Sequence, residues 1–379
     1  MLVLCVGFSL LSSAMQRPQP HPILDLAKQI IVMEADSGQV LYEKNADEKM
    51  HPSSMIKILT VFPVFQRLKD GRLKLNNTFS VSAEAWRSHT PEESRMFLEP
   101  NTLVTIEDLL RGIIIQSGND ACSVIAEGLA GTEEGYAQEL TELARKLEAK
   151  DTICMNASGM PAEGQYTTAR DLALIARQIL IQFPEYYPLF KEIDFTYNNI
   201  KQGNRNPLLY KPDLGVDGFK TGSTTLGGFG MVGSAQKNGM RLIIVINGTK
   251  NVNDRSKVGE YLIRWGFREF KRQIVVTKDQ VLDQANVWLG KKPTVPLIAS
   301  QDISLVLPHS AKVDLKAQLT YLSPLSAPLK KGQEVGTLTV TNPTLPPISI
   351  PVLVGEDIEE VNPLVRVSSA LRYLLLGTS

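Results

Sequence analysis

Three short segments of this chain carry residue types that can do nucleophilic chemistry. Ser54 and Lys57 stand three residues apart, so a helix would place both side chains on one face. A serine hydroxyl is a weak nucleophile until a neighbouring base takes its proton. A lysine can be that base when burial or nearby cations lower its pKa. Ser53 cannot share the role, because Ile56 occupies the position three residues on. Ser234 and Lys237 repeat the spacing, but within an expected hairpin, where they would not share a helical face. The second segment, Ser117-Gly118-Asn119, interrupts two apolar helical stretches. Glycine permits an unusual backbone there, Ser117 offers a hydroxyl for proton relay, and Asn119 offers an amide donor and an acceptor. The third runs from Val216 to Thr224 and contains Lys220-Thr221-Gly222. On a strand at a cleft edge, Lys220 and Gly222 would point to one side and Thr221 to the other. The lysine can supply positive potential, and the glycine lets a substrate pair with the backbone like an added strand. Taken singly, each segment also has a plain structural reading: a helix cap, an interhelical turn, and a solvent-facing lysine before a glycine turn.

The elements that must position these residues follow from periodicity. Gln29 to Ala35 and Val40 to Glu43 read as strands around an Asp36-Ser37-Gly38 turn. A helix is expected from about Ser54 to Lys69, with Pro63 able to end or kink it. Between Gly71 and about Pro212 the pattern is mainly helical. Thr105 with Asp108 resembles a cap before an apolar run; Ala121 to Leu129 and Glu133 to Leu147 follow, and Thr168 with Asp171 opens another helix. Strand texture returns with Phe229 to Ala235 and Arg241 to Ile246, joined by a turn containing Asn238-Gly239. Ser256 to Phe270 reads as a closing helix. This order gives an α+β domain over residues 28–283, an antiparallel sheet with a helical insertion, in preference to a doubly wound parallel sheet. From Gln284 to residue 360, short β-rich runs alternate with prolines such as Pro293, Pro308 and Pro328. That texture excludes long helices and predicts a smaller all-β domain.

The ordered set resembles the penicilloyl serine transferases, whose pattern is Ser-x-x-Lys, then Ser-x-Asn, then Lys-Thr-Gly. Within them, Pro52-Ser53-Ser54-Met55-Ile56-Lys57-Ile58-Leu59-Thr60, Ser117-Gly118-Asn119-Asp120-Ala121 and Val216-Asp217-Gly218-Phe219-Lys220-Thr221-Gly222 are similar to the low-molecular-mass D-alanyl-D-alanine carboxypeptidases. The resemblance covers roughly residues 28 to 355. It implies a transpeptidase/β-lactamase-like catalytic fold, with Ser54 as nucleophile and Lys57 as its base. Ser117 and Lys220 would assist proton transfer and hold a substrate carboxylate, while Asn119 orients the substrate amide. Thr221, Gly222 and Ser223 would line the substrate site, the backbone N–H groups of Ser54 and Ser223 forming an oxyanion hole. Arg205 matches a family arginine near the carboxylate side, and is otherwise an ordinary loop arginine. The chain departs from the family wording at Ser223 and over Asn156-Ala157-Ser158-Gly159-Met160. Neither departure removes a catalytic group.

What the resemblance implies is removal of the terminal D-alanine from peptidoglycan stem pentapeptides through an acyl-enzyme, with no metal or organic cofactor. β-Lactam antibiotics would acylate the same serine. A DD-endopeptidase, a serine β-lactamase and a non-catalytic peptidoglycan-binding protein are the alternatives. Composition agrees with a globular chain: 379 residues, 43% hydrophobic, 21% charged. Forty basic and forty acidic residues cancel, which gives no support for nucleic-acid binding. Only four histidines are present, with no zinc-binding spacing.

The ends carry separate expectations. Residues 1–14 read as a signal peptide with cleavage after Ala14, or else as a buried strand. Residues 15–27 form a lead-in. Residues 361–379 contain an amphipathic segment, Leu364, Val367, Leu371, Leu374 and Leu375 sharing one face. It would rest on the outer face of the cytoplasmic (inner) membrane or dock on its own β domain. A periplasmic or other extracytoplasmic location follows from this reading. Cys122 and Cys154 can pair or stay as buried thiols.

Overall fold

The strand-like runs of the first part become one five-stranded antiparallel sheet. Its strands are β1 (Gln29–Glu34), β2 (Val40–Lys44), β3 (Val216–Thr224), β4 (Gly228–Lys237) and β5 (Met240–Thr249), in the order β2-β1-β5-β4-β3. The β4–β5 turn places both Asn238 and Gly239 at positive φ, 50° and 74°. Those are the two residue types that enter this region most readily, and the pair fixes the hairpin register. The computed structural model describes residues 2–3, 21–90, 92–309, 315–342 and 345–362. The described residues fall into one unit within Arg17–Glu269 and a second from Phe270 onward that includes Leu2–Val3.

In the first unit the sheet is covered on both faces, which is why β5 reads as an unbroken apolar run. Ile243 and Val245, with Val232 of β4 and Ile31 and Met33 of β1, join the core of the helical region. On the other face Met231, Leu242 and Ile244 meet Gly259 and Gly266 of α7 (Val252–Glu269). The helical region is inserted between β2 and β3. It comprises α1 (Lys57–Lys69), α2 (Ala83–Arg87), α3 (Ile106–Arg111), α4 (Asn119–Ala130), α5 (Glu133–Lys146) and α6 (Ala169–Gln182). Three of these helices start on threonine caps: Thr105, Thr132 and Thr168 each accept a backbone N–H three residues on.

At the centre lies α1. Ile58, Leu59, Val61, Phe62, Val64 and Phe65 are all fully buried, so the helix is packed on every side as far as Phe65 and reaches solvent only in its last turn. Pro63 does not end it; the helix runs on to Lys69. Burial of the residues on both sides of Pro63 outweighs the one backbone hydrogen bond that proline removes. Closure of α7 also differs from expectation. It starts at Val252, because the Asn251 side chain accepts the Asp254 N–H at 2.9 Å, and it stops at Glu269, where Phe270 opens a strand.

The second unit is all-β. Phe270–Val276 pairs antiparallel with Ile303–Pro308. A larger sheet runs in the order Leu2–Val3, Lys316–Ser323, Glu334–Asn342, Leu345–Val354, Thr294–Ala299, Val281–Trp288 and Leu325–Ser326. Leu2 and Val3 pair with Ser323 and Leu322. The rest of the expected signal peptide and the amphipathic segment from residue 363 lie outside the described residues. Among the described residues no helix is long and apolar enough to cross a membrane.

The edge-to-face pair of Phe62 with Phe183, centroids 4.9 Å apart, sits in the middle of the helical core. Truncation of Phe62 to alanine is expected to destabilise the chain by about 3–5 kcal/mol. Urea denaturation should show a lower midpoint with an unchanged slope.

Candidate active site

Ser54 stands on a 3-10 turn, Ser53–Ile56, that runs directly into α1. The turn is held tightly. Ser53 adopts a left-handed φ of 48°, and two glycines from distant segments press against it. A Cβ on Gly159 would lie 2.0 Å from the Ser53 carbonyl oxygen, and one on Gly222 would lie 2.9 Å from the Ser54 nitrogen. No larger residue fits either place without moving the backbone. Gly222 thus has a structural duty: it lets β3 lie against the backbone N–H of Ser54. The Asn156–Met160 loop that carries Gly159 braces the same turn. Asn156 Oδ1 accepts the Gly159 N–H at 2.8 Å, and Thr60 Oγ1 of α1 donates to the Ala157 carbonyl at 2.6 Å.

Lys57 lies one turn inside, 1% exposed. Its Nζ is 3.1 Å from Ser54 Oγ, 2.7 Å from the Ser117 carbonyl, 3.3 Å from Ser117 Oγ and 2.5 Å from Asn119 Oδ1. Ser117 follows the π-helical turn Gly112–Gln116 with φ 62° and ψ 32°, which turns both its carbonyl and its hydroxyl to the lysine. An amine has two N–H bonds and one lone pair. With the N–H bonds directed to the Ser117 carbonyl and Asn119 Oδ1, the lone pair is left for the hydroxyl of Ser54 or Ser117. Burial pushes the Lys57 ammonium down to about 8, with the Arg205 charge adding to the effect and Cys122, Asp120 and Glu93 opposing it.

Lys220 is also buried, and its Nζ donates to the Thr221 carbonyl at 3.2 Å. Burial holds its pKa well below the ordinary value, and the charges of Lys57 and Arg205 lower it further. Arg205 bonds Ser94 Oγ. A cavity of about 280 Å³ opens over these groups, lined by Ser54, Ser117, Thr221, Gly222, Ser223 and Arg205, with Ser94, Phe229, Val252 and Arg255. Thr221 therefore faces the cleft along with the two residues after it. The three sequence segments and Arg205 converge on one place.

Arg255 is the residue that sequence reading missed. It is 4% exposed, and burial, then the neighbouring Arg205, lower its pKa to about 10. Among the described residues its Nε has no hydrogen-bond partner. The expected start of the last helix at Ser256 left this arginine outside; the Asn251 cap, with Asp254 three residues on, is the signal that could have drawn it in. Exposed Arg205 and buried Arg255 line this cavity, and with the buried lysines Lys57 and Lys220 close by they make a site for an anion. The cysteines do not pair: Cys122 and Cys154 are both free and buried.

An α+β domain with a serine–lysine cleft, followed by an all-β domain, is the architecture of the low-molecular-mass penicillin-binding proteins. Residues 15–251 match the family described as D-alanyl-D-alanine carboxypeptidase, and residues 270–360 match the penicillin-binding protein 5 C-terminal domain. The chain belongs to the D-alanyl-D-alanine carboxypeptidase family. It is 40% identical to D-alanyl-D-alanine carboxypeptidase DacC of Escherichia coli over 338 residues, 88% of this chain and 84% of the relative. Penicillin-binding protein 5 from Haemophilus influenzae has the same fold, with a TM-score of 0.78 and 32% identity over 92% of this chain and 100% of its own. Penicillin-binding protein D2 from Listeria monocytogenes in its ampicillin-bound form has a TM-score of 0.56 and 27% identity, over 66% of this chain and 100% of its own.

Below a pH of about 8 Lys57 is charged and has no lone pair; above it the amine is free to accept a proton. Acylation of the chain by a penicillin is therefore expected to speed up about tenfold per pH unit below that midpoint and to level off above it. Stopped-flow labelling across the titration checks this.

Proposed function

We propose that this chain is a serine D-alanyl-D-alanine carboxypeptidase that removes the terminal D-alanine from peptidoglycan stem pentapeptides. The observation that carries the reading is Lys57 Nζ within 3.1 Å of Ser54 Oγ while Ser117 and Asn119 occupy its N–H bonds. The substrate's terminal carboxylate lies in the cationic part of the cleft, against Lys220, Thr221, Arg205 and Arg255. An anion there also favours the charged forms that burial opposes. Ser54 Oγ attacks the carbonyl of the penultimate D-alanine as its proton passes to Lys57. The oxyanion is held by the backbone N–H groups of Ser54 and Ser223, the former at a helix N-terminus. The C–N bond breaks, and the departing amine takes a proton relayed from Lys57 through Ser117. Water then attacks the ester, returns a proton by the same route, and frees the shortened peptide. Side chains and water carry every step.

A β-lactam presents a strained amide beside a carboxylate, and the same attack leaves it covalently bound to Ser54. The family relationship and the ampicillin-bound relative from Listeria support this reading. The substrate places the active enzyme outside the cytoplasm. Residues 1–14 would serve for export, and residues 361–379 for attachment to the outer face of the inner membrane.

Incubation with a pentapeptide ending in D-Ala-D-Ala and with a cross-linked muropeptide tests the assignment. Free D-alanine is expected from the first alone; cleavage of the second would make the chain an endopeptidase, and rapid turnover of penicillin a β-lactamase. Ser54→Ala is expected to lower D-alanine release by at least about 10³-fold. Arg255→Ala should raise KM about tenfold, since it removes one charge-assisted contact to the carboxylate.

A further inference from the structure

Behind Asn119, on the side away from Lys57, stands a carboxylate that the mechanism above does not use. Glu93 Oε2 accepts a hydrogen bond from Asn119 Nδ2 at 2.8 Å and lies 3.0 Å from His89 Nδ1. Both side chains are largely enclosed, Glu93 at 16% and His89 at 7% exposure. The contact is built in by the main chain. Asn119 N donates to the Ser94 carbonyl at 2.8 Å, and the Asp120 carboxylate accepts the Met96 and Leu98 N–H groups at 2.9 and 3.2 Å. The segment carrying Glu93 is thus stitched to the turn carrying Asn119. His89 is anchored in turn: its Nε2 is 2.9 Å from Ser123 Oγ, which donates to Glu133 Oε2 at 3.2 Å.

The chemistry of an amide shows what the carboxylate does. Asn119 must present Oδ1 to Lys57, because only an acceptor leaves the lysine lone pair for Ser54. A flipped amide would point Nδ2–H at the neutral amine and occupy that lone pair. It would also set Oδ1 against the Glu93 carboxylate, two acceptors with no proton between them. We infer that Glu93, held by His89, is a positioning residue that locks the Asn119 amide with its oxygen toward Lys57 and keeps the base available to Ser54. Burial raises the Glu93 pKa, but hydrogen bonds from Asn119 and His89 outweigh it and hold the carboxyl below its usual range. The lock therefore stays charged wherever Lys57 titrates.

The inference rests on the reading of Ser54 and Lys57 as nucleophile and base, and the experiment keeps the two apart. Fluorescent penicillin is mixed with the full chain and its Ser54→Ala, Glu93→Leu and Glu93→Gln variants, and the acylation rate constant and the reversible Kd are measured separately. Glu93→Leu matches the volume and removes every acceptor; its plateau acylation rate above the Lys57 midpoint is expected to fall about tenfold, with Kd nearly unchanged. Glu93→Gln retains a carbonyl that can accept from Asn119, so it is expected to recover part of that loss. It also removes a charge that raises the Lys57 pKa, which moves the acid limb of the profile to lower pH. Cys122, Asp120, Arg205 and Lys220 also bear on Lys57, and they are unchanged in these variants. A wild-type acylation rate in Glu93→Leu overturns the lock. So does an equal loss in both variants accompanied by a lower Tm, which would make Glu93 merely structural. Failure of the unaltered chain to label, or undiminished labelling of Ser54→Ala, overturns the reading of Ser54 beneath it.

Discussion

The buried ammonium of Lys57 is the constraint around which the catalytic unit is organised. Moving its pKa from 10.5 to about 8 corresponds to roughly 3 kcal/mol of lost preference for the charged form. Such a group is tolerated in a core only when its polar atoms are met, and the partners come from far along the chain. The Ser117 carbonyl and Asn119 Oδ1 both belong to the helical insertion between β2 and β3. The insertion is therefore more than a cover for the sheet. Without its Ser117–Asn119 turn, α1 of the same insertion would carry an unpaired lysine into an apolar core.

A second constraint is closeness. The turn that carries Ser54 is pressed between Gly159 and Gly222, so the sheet edge and the Asn156–Met160 loop fix where Ser54 Oγ can stand. The same approach concentrates positive charge. Beside burial, the Arg205 charge lowers the basicity of Lys57, Lys220 and Arg255, and Lys57 and Arg255 lower that of Lys220, while the nearby carboxylates, Asp120 and Glu93, serve backbone and amide groups behind the site. The cleft without substrate is electrostatically uncomfortable. The carboxylate of the proposed substrate would relieve that repulsion, so part of its binding energy would come from groups that already repel each other.

What could be read from sequence divides along the same line between local and distant. The Asn238-Gly239 hairpin, the threonine caps at Thr105 and Thr168 and the one-turn spacing of Ser54 and Lys57 depend on neighbours within a few residues, and all were legible. Their convergence was not a matter of spacing; the order of the three segments and their resemblance to a family supplied it. Whether Pro63 would end the helix stayed open because its penalty is local while the packing that overrides it is not. Arg255 stayed hidden because a helix began one turn before the periodic pattern did. The all-β unit begins at Phe270, whereas the proline-rich texture that signals it starts near Gln284, since Phe270–Val276 follows α7 with no turn residues between them. Glu93 has no sequence signature, since its contact with Asn119 exists only where two loops are stitched together.

These features bear on one balance. A base that is neutral near physiological pH must have a lowered pKa, yet each lowering also weakens its pull on the serine proton. Arg205 and burial push Lys57 one way, and Asp120, Glu93 and Cys122 push it the other. The midpoint near 8 is the result of that opposition. In the proposed mechanism Arg205 would hold substrate while it lowers the Lys57 pKa, and Glu93, bonded to the Asn119 amide, raises it. Substitutions at either position cannot change binding or orientation alone; they also move the pH at which Ser54 becomes reactive. Geometry and proton affinity at Lys57 are thus set in part by the same side chains.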